Sequence, residues 1–253
     1  MPSRISALML VAGWLLPLAA WPVCPLPAHA EYARVTQVID GDTLELEGKT
    51  RLRLIGLDTP ELGRDGKPDE VGARDASAAL REILADSGWR LRLVGDAESH
   101  DRHGRRLAHL YDKNGRNIGE QLLERGLAYL SPFPSNPRFL DCYDQAEDEA
   151  RHAKRGLWSR PPLDAARIKP ATEGFQRIAG RVKSVGIYRG GTRIRLEGGL
   201  ELRIQREDLT HFDTARLDSL PGQHLEVHGW LYRHQGQPRM RVRHPAAVIS
   251  PAL

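Results

Sequence analysis

The chain has 253 residues, room for one large domain or two small ones at the usual ~100–200 residues each. Hydrophobic residues make up 40% and charged residues 28%, which excludes wholesale disorder and a polytopic membrane protein. Lys+Arg 37 against Asp+Glu 33 leaves +4, compatible with a polyanionic partner, and two cysteines exclude a disulfide scaffold and a four-cysteine zinc site.

The first thirty residues read as a secretory leader. Arg4 supplies the charged start, Ala7 to Val23 form an uncharged apolar run, and Ala28-His29-Ala30 has the small-x-small cleavage pattern. A signal peptide of residues 1–30, removed after Ala30, is expected. An uncleaved anchor is the alternative, but the run falls short of the ~20 apolar residues that span a bilayer, and Pro17 and Pro22 interrupt it. The cleaved chain keeps Cys142 alone, a buried inert thiol in an apolar helical pattern. The expected location is periplasmic or secreted, without stable membrane insertion after cleavage.

Strand patterns open the mature chain. Val38-Ile39 leads into the turn dipeptide Asp40-Gly41, then Leu44 and Leu46 alternate with Glu45 and Glu47, and Leu52 and Leu54 with Arg51 and Arg53. Helical periodicity follows, with Ala73, Ala76, Ala79, Leu80, Ile83 and Leu84 on one face. Leu91 and Leu93 alternate with Arg90 and Arg92, and a further strand runs from Arg105 toward Asn114-Gly115. Asn117 with Glu120 resembles a capping box opening a short helix, and a last helix spans about Arg138 to Gly156. Residues 31–163 thus read as a five-stranded barrel of the oligonucleotide-binding (OB) type with three helices. Prolines 161, 162 and 170 mark a linker over 164–174, and residues 175–250 repeat the strand logic as a second small OB-like β-barrel. The class is mainly β with α. From Ala171 onward there are 13 Lys+Arg against 8 Asp+Glu, whereas residues 31–170 hold 23 against 25. The basic excess sits in the second block.

Four acids crowd a short stretch of the first block: Asp40 and Asp42 at the hairpin, Asp58 and Glu61 after the third strand. Carboxylates on separate strand ends that converge at one barrel rim make a hard-cation site, because calcium takes oxygen ligands in flexible geometry. Pro60 pushes Thr59 toward an extended conformation that frees its carbonyl as a further ligand. Arg53 and Arg105 add two guanidinium forks. A divalent cation, a carboxylate base and such forks are what phosphodiester hydrolysis requires. Taken as isolated residues, acids beside turns are as readily turn formers on a solvated rim.

The strings VIDGDT (Val38 to Thr43), RLRLIGLDTPE (Arg51 to Glu61), HDRHGRRLAHLY (His100 to Tyr111) and RGLW (Arg155 to Trp158) resemble the staphylococcal nuclease, or thermonuclease, family in order and spacing. The resemblance implies a barrel-plus-helices fold and a Ca2+-dependent nuclease on DNA and/or RNA that leaves 3′-phosphate and 5′-hydroxyl ends. It further implies Asp42 and Asp58 as metal carboxylates, Thr59 as carbonyl ligand, Asp40 as the acid beside them, Glu61 as general base, and Arg53 and Arg105 on the scissile phosphate. Substrate-binding candidates are Arg102, where the family usually has lysine, His103, where it has an aromatic, and Tyr129. Pro132 and Pro134 stand where the family often places tyrosines, with Tyr129 and Phe133 nearby. The loop from Leu62 to Val71 reads either as a flap beside the site or as a solvated loop.

In the second block, Arg239, Arg241 and Arg243 share one face of a strand at spacings of about 6–7 Å. They are candidate nucleic-acid contacts or, equally, a solvated face that keeps the barrel soluble. Tyr188, Tyr232 and Trp230 offer stacking surfaces, although such residues in a small barrel more often form its core. The chain is expected to act as a monomeric endonuclease; the alternative is a non-catalytic nucleic-acid- or protein-binding scaffold of the cell envelope.

Overall fold

Alternating β-branched and leucine positions pair into two closed five-stranded barrels. The computed structural model describes residues 24–133 and 135–249; most of the expected leader and the expectation for Pro134 lie outside the described residues. The first barrel is built from Glu31–Val38 (β1), Thr43–Leu46 (β2), Arg51–Leu54 (β3), Leu57–Asp58 (β4), the helix Ala73–Asp86 (α1), Arg90–Val94 (β5), Arg106–Tyr111 (β6), Ile118–Glu124 (α2), Tyr129–Leu130 (β7) and Leu140–His152 (α3). Its strand order is β1-β2-β3-β6-β5, with β3 and β6 parallel and β5 returning antiparallel to β1. The small β4–β7 ladder lies outside this ring.

The helices follow their sequence signals. Ala73, Ala76, Ala79, Leu80, Ile83 and Leu84 of α1 are all buried, the apolar stripe that a 3.6-residue repeat creates. Asn117 caps α2 by accepting from the Glu120 backbone N–H at 3.1 Å. Glu120 does not close the reciprocal half of the box. Its carboxylate accepts the Cys24 backbone N–H instead, at 3.4 Å.

That contact belongs to the first departure from expectation. Cys24 is fully buried and forms a disulfide with Cys142, Cα to Cα 5.6 Å. Leu26 packs on the same core, and the Tyr111 hydroxyl donates to the Pro25 carbonyl at 2.9 Å. The sequence reading assigned residues 24–30 to the leader, which left Cys142 without a partner. In the structure they are part of the fold.

The second barrel comprises Leu163–Asp164 (β8), Gly174–Tyr188 (β9), Gly191–Leu196 (β10), Glu201–Gln205 (β11), the short helix Thr214–Asp218 (α4), His224–His234 (β12), Gln237–Arg241 (β13) and Val248–Ile249 (β14). The ring runs β9-β10-β11-β13-β12 and closes through the β12–β9 ladder, from His224↔Arg181 to Leu231↔Gly174. The expected linker is partly structural: β8 pairs in parallel with β9, and Ala165 is buried in the second core. The prolines mark its entry, not its whole length. Strand β13 ends at Arg241, so Arg243 lies beyond it rather than on the same strand.

The barrels pack on each other through a small aromatic core. Tyr129 stacks on Phe175 at 5.1 Å and meets Trp158 edge-on at 5.3 Å, while the Arg177 guanidinium lies 4.8 Å over the Trp158 ring. Trp158 belongs to the RGLW string, whose Gly156 adopts φ +48° against Gly126 at φ +66°. A Cβ on either glycine would lie 2.3 Å from the other loop's carbonyl oxygen, so the two loops meet only if both residues lack one. Among the described residues, no helix is long and apolar enough to cross a membrane.

Candidate active site

The β1–β2 turn, β3 and the β4 exit bring the acids and Arg53 to one rim of the first barrel. The turn is tied by the Ile39 N–H donating to the Thr43 carbonyl at 2.9 Å, and the Asp42 N–H donates to Asp40 Oδ1 at 3.2 Å. Gly41 is required here because a Cβ would lie 2.7 Å from both Ala76 and the Thr59 hydroxyl. Asp42 is almost fully buried and fixed on both oxygens. Its Oδ2 accepts from the Thr59 backbone N–H at 2.8 Å and the Thr59 hydroxyl at 3.0 Å, and its Oδ1 accepts from the Thr43 hydroxyl at 3.0 Å.

Arg53 bridges the two halves of the rim. One guanidinium nitrogen contacts Asp42 Oδ1; the other contacts Asp58 Oδ1 and donates to the Leu57 carbonyl at 3.1 Å. This buried cation satisfies two carboxylates that would otherwise be stranded in the barrel end. Asp58 nevertheless has its pKa raised: desolvation dominates, Arg53 opposes it, and the Asp40 charge adds to it. Glu61 is raised too, first by desolvation and then by the charges of Asp40 and Asp58. Three carboxylates therefore repel one another across a single rim.

Arg105 is half-buried at the start of β6, held by Asp101 Oδ2 at 2.6 Å, and its positive charge acts on Asp58. Arg102 and His103 sit on the exposed turn before it, the Arg102 Nε donating to His103 Nε2 at 3.1 Å. Arg102 and Asp58 line the same cleft between the barrels. The donor set on the rim is oxygen throughout, suited to a hard cation, although among the described residues no three acidic or imidazole side chains are close enough to ligate one ion.

Comparison with known proteins fits this geometry. A profile described as Staphylococcal nuclease homologue matches residues 51–160. A thermonuclease of Staphylococcus hyicus is 32% identical over 135 residues, 52% of this chain and 78% of the relative. A thermonuclease of Staphylococcus intermedius is 33% identical over 129 residues, 50% and 75% respectively. An uncharacterized endonuclease of Escherichia coli O157:H7 is 29% identical over 144 residues, 55% and 83%. The chain belongs to the staphylococcal nuclease family. It is a phosphodiester-hydrolysing nuclease.

Within this nuclease the structure gathers Asp40, Asp42, Arg53, Asp58, Thr59 and Glu61 on the rim and Arg105 beside it, as the motifs imply. It separates others from them. Tyr129, a substrate-binding candidate, is 9% exposed, with its ring committed to Phe175, Trp158 and His228 in the seat between barrels. Arg239 lies 3.4 Å from Glu201, a carboxylate it shares with Arg195 and Arg203, and Arg241 pairs with Asp208 at 2.8 Å and Glu207 at 2.9 Å, so both are engaged within the second barrel.

Two contacts at the rim escaped the sequence reading. Arg64 reaches back to Asp40 Oδ2 at 3.3 Å. Glu70 Oε2 accepts the Glu61 backbone N–H at 3.0 Å, while the Glu70 N–H donates to the Glu61 carbonyl at 2.9 Å. The loop from Leu62 to Val71 is thereby folded back onto the residue before it. Nothing short-range in sequence marks these pairs, since each joins a loop to a rim residue only once the barrel has closed.

Proposed function

We propose that this nuclease is calcium-dependent and cleaves DNA and/or RNA to 3′-phosphate and 5′-hydroxyl products at the Asp40–Glu61 rim. The convergence of Asp40, Asp58 and Glu61, the last two raised by desolvation and further by neighbouring carboxylate charge, carries this reading. A hard divalent cation relieves that repulsion, and the all-oxygen donor set fits one. Asp42 and Asp58 would hold it, with Asp40 and the Thr59 carbonyl beside them. When bound, calcium supplies charge neutralisation at a phosphoryl oxygen.

The remaining steps belong to the chain's own residues. Glu61 takes a proton from the attacking water, and its raised pKa brings it nearer to neutrality, where a general base works best. A new O–P bond forms in line with the bond to the 5′-oxygen, which breaks and leaves as an alkoxide that solvent protonates. Arg105 meets the charge that develops on the equatorial oxygens. Arg53, held by Asp42 and Asp58, reaches the phosphate only by exchanging one of those carboxylates for it.

Export fits the disulfide, because such bonds persist in oxidising compartments such as the periplasm or the exterior. Processing after Ala30 would delete Cys24 from the core. The cut that preserves the bond therefore lies before Cys24, and intact-mass analysis of the mature protein locates it.

The deciding assay is digestion of single-stranded DNA, duplex DNA and RNA with calcium, with magnesium and with chelator, alongside Glu61→Ser. Cleavage that needs calcium and disappears in the variant supports the proposal. Tight binding without cleavage under every metal refutes it in favour of a binding scaffold.

A further inference from the structure

The outward face of β12 passes from the seat between the barrels into open solvent. His228 is buried on this face, facing Glu147 Oε2 at 3.5 Å. Trp230, two residues on, is 51% exposed, whereas Trp158 is buried. Tyr232 follows on the same face, half-buried. The opposite face carries Leu225, Val227 and Leu231 into the second core, and at Gly229 a Cβ would press on the Met240 sulfur at 3.1 Å. The alternation of the strand thus fixes Trp230 outward. A half-exposed tryptophan on a rigid central strand leaves a large apolar surface in water.

Trp230 faces a cleft of about 410 Å³ whose walls come from both barrels, among them Asp58, Arg102 and Pro132 from the first and Trp230, Tyr232 and Arg243 from the second. Every Phe, Tyr or Trp ring among the described residues that line it belongs to the second barrel. Arg243 is exposed and, unlike Arg239 and Arg241, has no carboxylate within ion-pair distance among the described residues. Arg102 and Arg243 line this one cleft, which sets cationic side chains from different barrels on its walls, and desolvation followed by the charge of Arg241 lowers the Arg243 pKa. Juxtaposed cations beside an exposed aromatic face suit an anion that carries a flat ring.

We propose that the second barrel completes the substrate site: an unpaired base stacks on Trp230, while Arg243 and Arg102 hold the adjoining phosphate of a single-stranded nucleic acid whose scissile bond lies at the Asp58 rim. This rests on the nuclease reading of that rim. Stacking needs a free base face, so a duplex does not meet the site in the same way.

The test uses the full chain. Binding of a fluorescein-labelled oligothymidylate is measured on a Glu61→Ser background, with and without Trp230→Ala, Trp230→Phe and Arg243→Ala; melting curves establish that each variant is folded. Cleavage kinetics are measured in the same three variants with Glu61 intact. Trp230→Ala is expected to weaken binding about tenfold, the usual scale for losing one base–aromatic stack, and Trp230→Phe to recover most of it. Arg243→Ala should weaken binding at low salt and reduce the salt slope by about one contact. In the cleavage assay both alanine changes raise KM more than they lower kcat. Unchanged binding in folded Trp230→Ala and Arg243→Ala overturns the inference, as does equal Trp230 dependence for a duplex. If Glu61→Ser binds with Trp230 dependence but the intact chain does not cut, the base-stacking contact stands, and the catalytic reading fails together with the placement of a scissile bond at the rim. If neither protein binds the oligonucleotide, both fail.

Discussion

The two barrels share one topology yet differ in chemistry. In each, the first three strands run in order, the fifth lies parallel to the third, and the fourth returns to the first: β3 beside β6 in one, β11 beside β13 in the other. Each places a helix, α1 or α4, between its third and fourth ring strands. The difference lies at the turn between the first two strands. The first barrel carries Asp40-Gly41-Asp42 there, inside the pair Val38↔Leu44; the second carries Arg189-Gly190, inside the pair Gly191↔Tyr188. The shared ring supplies a rigid rim, and the first barrel's turn sets carboxylates on it where the second's sets an arginine. Net charge follows the same division, with 23 Lys+Arg against 25 Asp+Glu over residues 31–170 and 13 against 8 from Ala171 onward.

Breaking the comparison at its strongest point means disabling the acid rim. Glu61→Ser is expected to cut kcat by a factor on the order of 10²–10⁴, the range for loss of a general base, while oligonucleotide affinity is retained. Initial rates in calcium check it. Next in size is the disulfide, which only the first barrel contains. Replacing Cys24 and Cys142 together by alanine should cost about 2–5 kcal/mol, read as a lower urea midpoint.

A smaller effect separates the barrels by pH. Burial draws the His109 imidazole from its ordinary 6.5 to about 4, against the pull of Asp96. As pH falls, the unfolded chain binds this proton first. The contribution of His109 to stability is therefore full above about 6.5 and is lost as pH drops toward about 4. Urea unfolding at pH 7 and pH 4.5 should show a loss that His109→Gln reduces. The smallest expected effect is that of Arg239→Ala, which changes oligonucleotide affinity less than about twofold because that guanidinium lies largely buried beside Glu201 rather than open to a ligand. A large loss there would mean that the basic strand itself contacts substrate.

Period and turn chemistry made much of this legible beforehand. Six apolar positions marked the buried face of α1, Asn117 the cap of α2, and the four acids at strand ends are the ones the barrel gathers on one rim. What escaped was set by partners distant in sequence. Cys24 sits inside a stretch that reads as leader, and only the folded barrel brings it to Cys142, 118 residues away. The acids that Arg239 and Arg241 meet lie on β11 and the loop after it, and no local pattern joins them. Trp230 has the composition of a core residue; its outward face is fixed by the register with β9, where it opposes Phe175. Tyr129 follows a motif that suggests substrate, and is covered because a second barrel docks on it.

Glu147 divides its carboxylate between the two barrels: Oε1 accepts the Leu130 backbone N–H at 2.6 Å, and Oε2 faces His228 Nε2 at 3.5 Å. The Leu130 strand is also the one that pairs with Leu57, next to Asp58. The nuclease unit therefore leans on the second barrel at this seat. A fragment ending at the proline pair would uncover Tyr129 and Trp158 and strip Glu147 of its imidazole, beside the short ladder that carries Asp58. Engineering that trims this chain to its recognisable motif would remove part of the scaffold on which the motif is mounted.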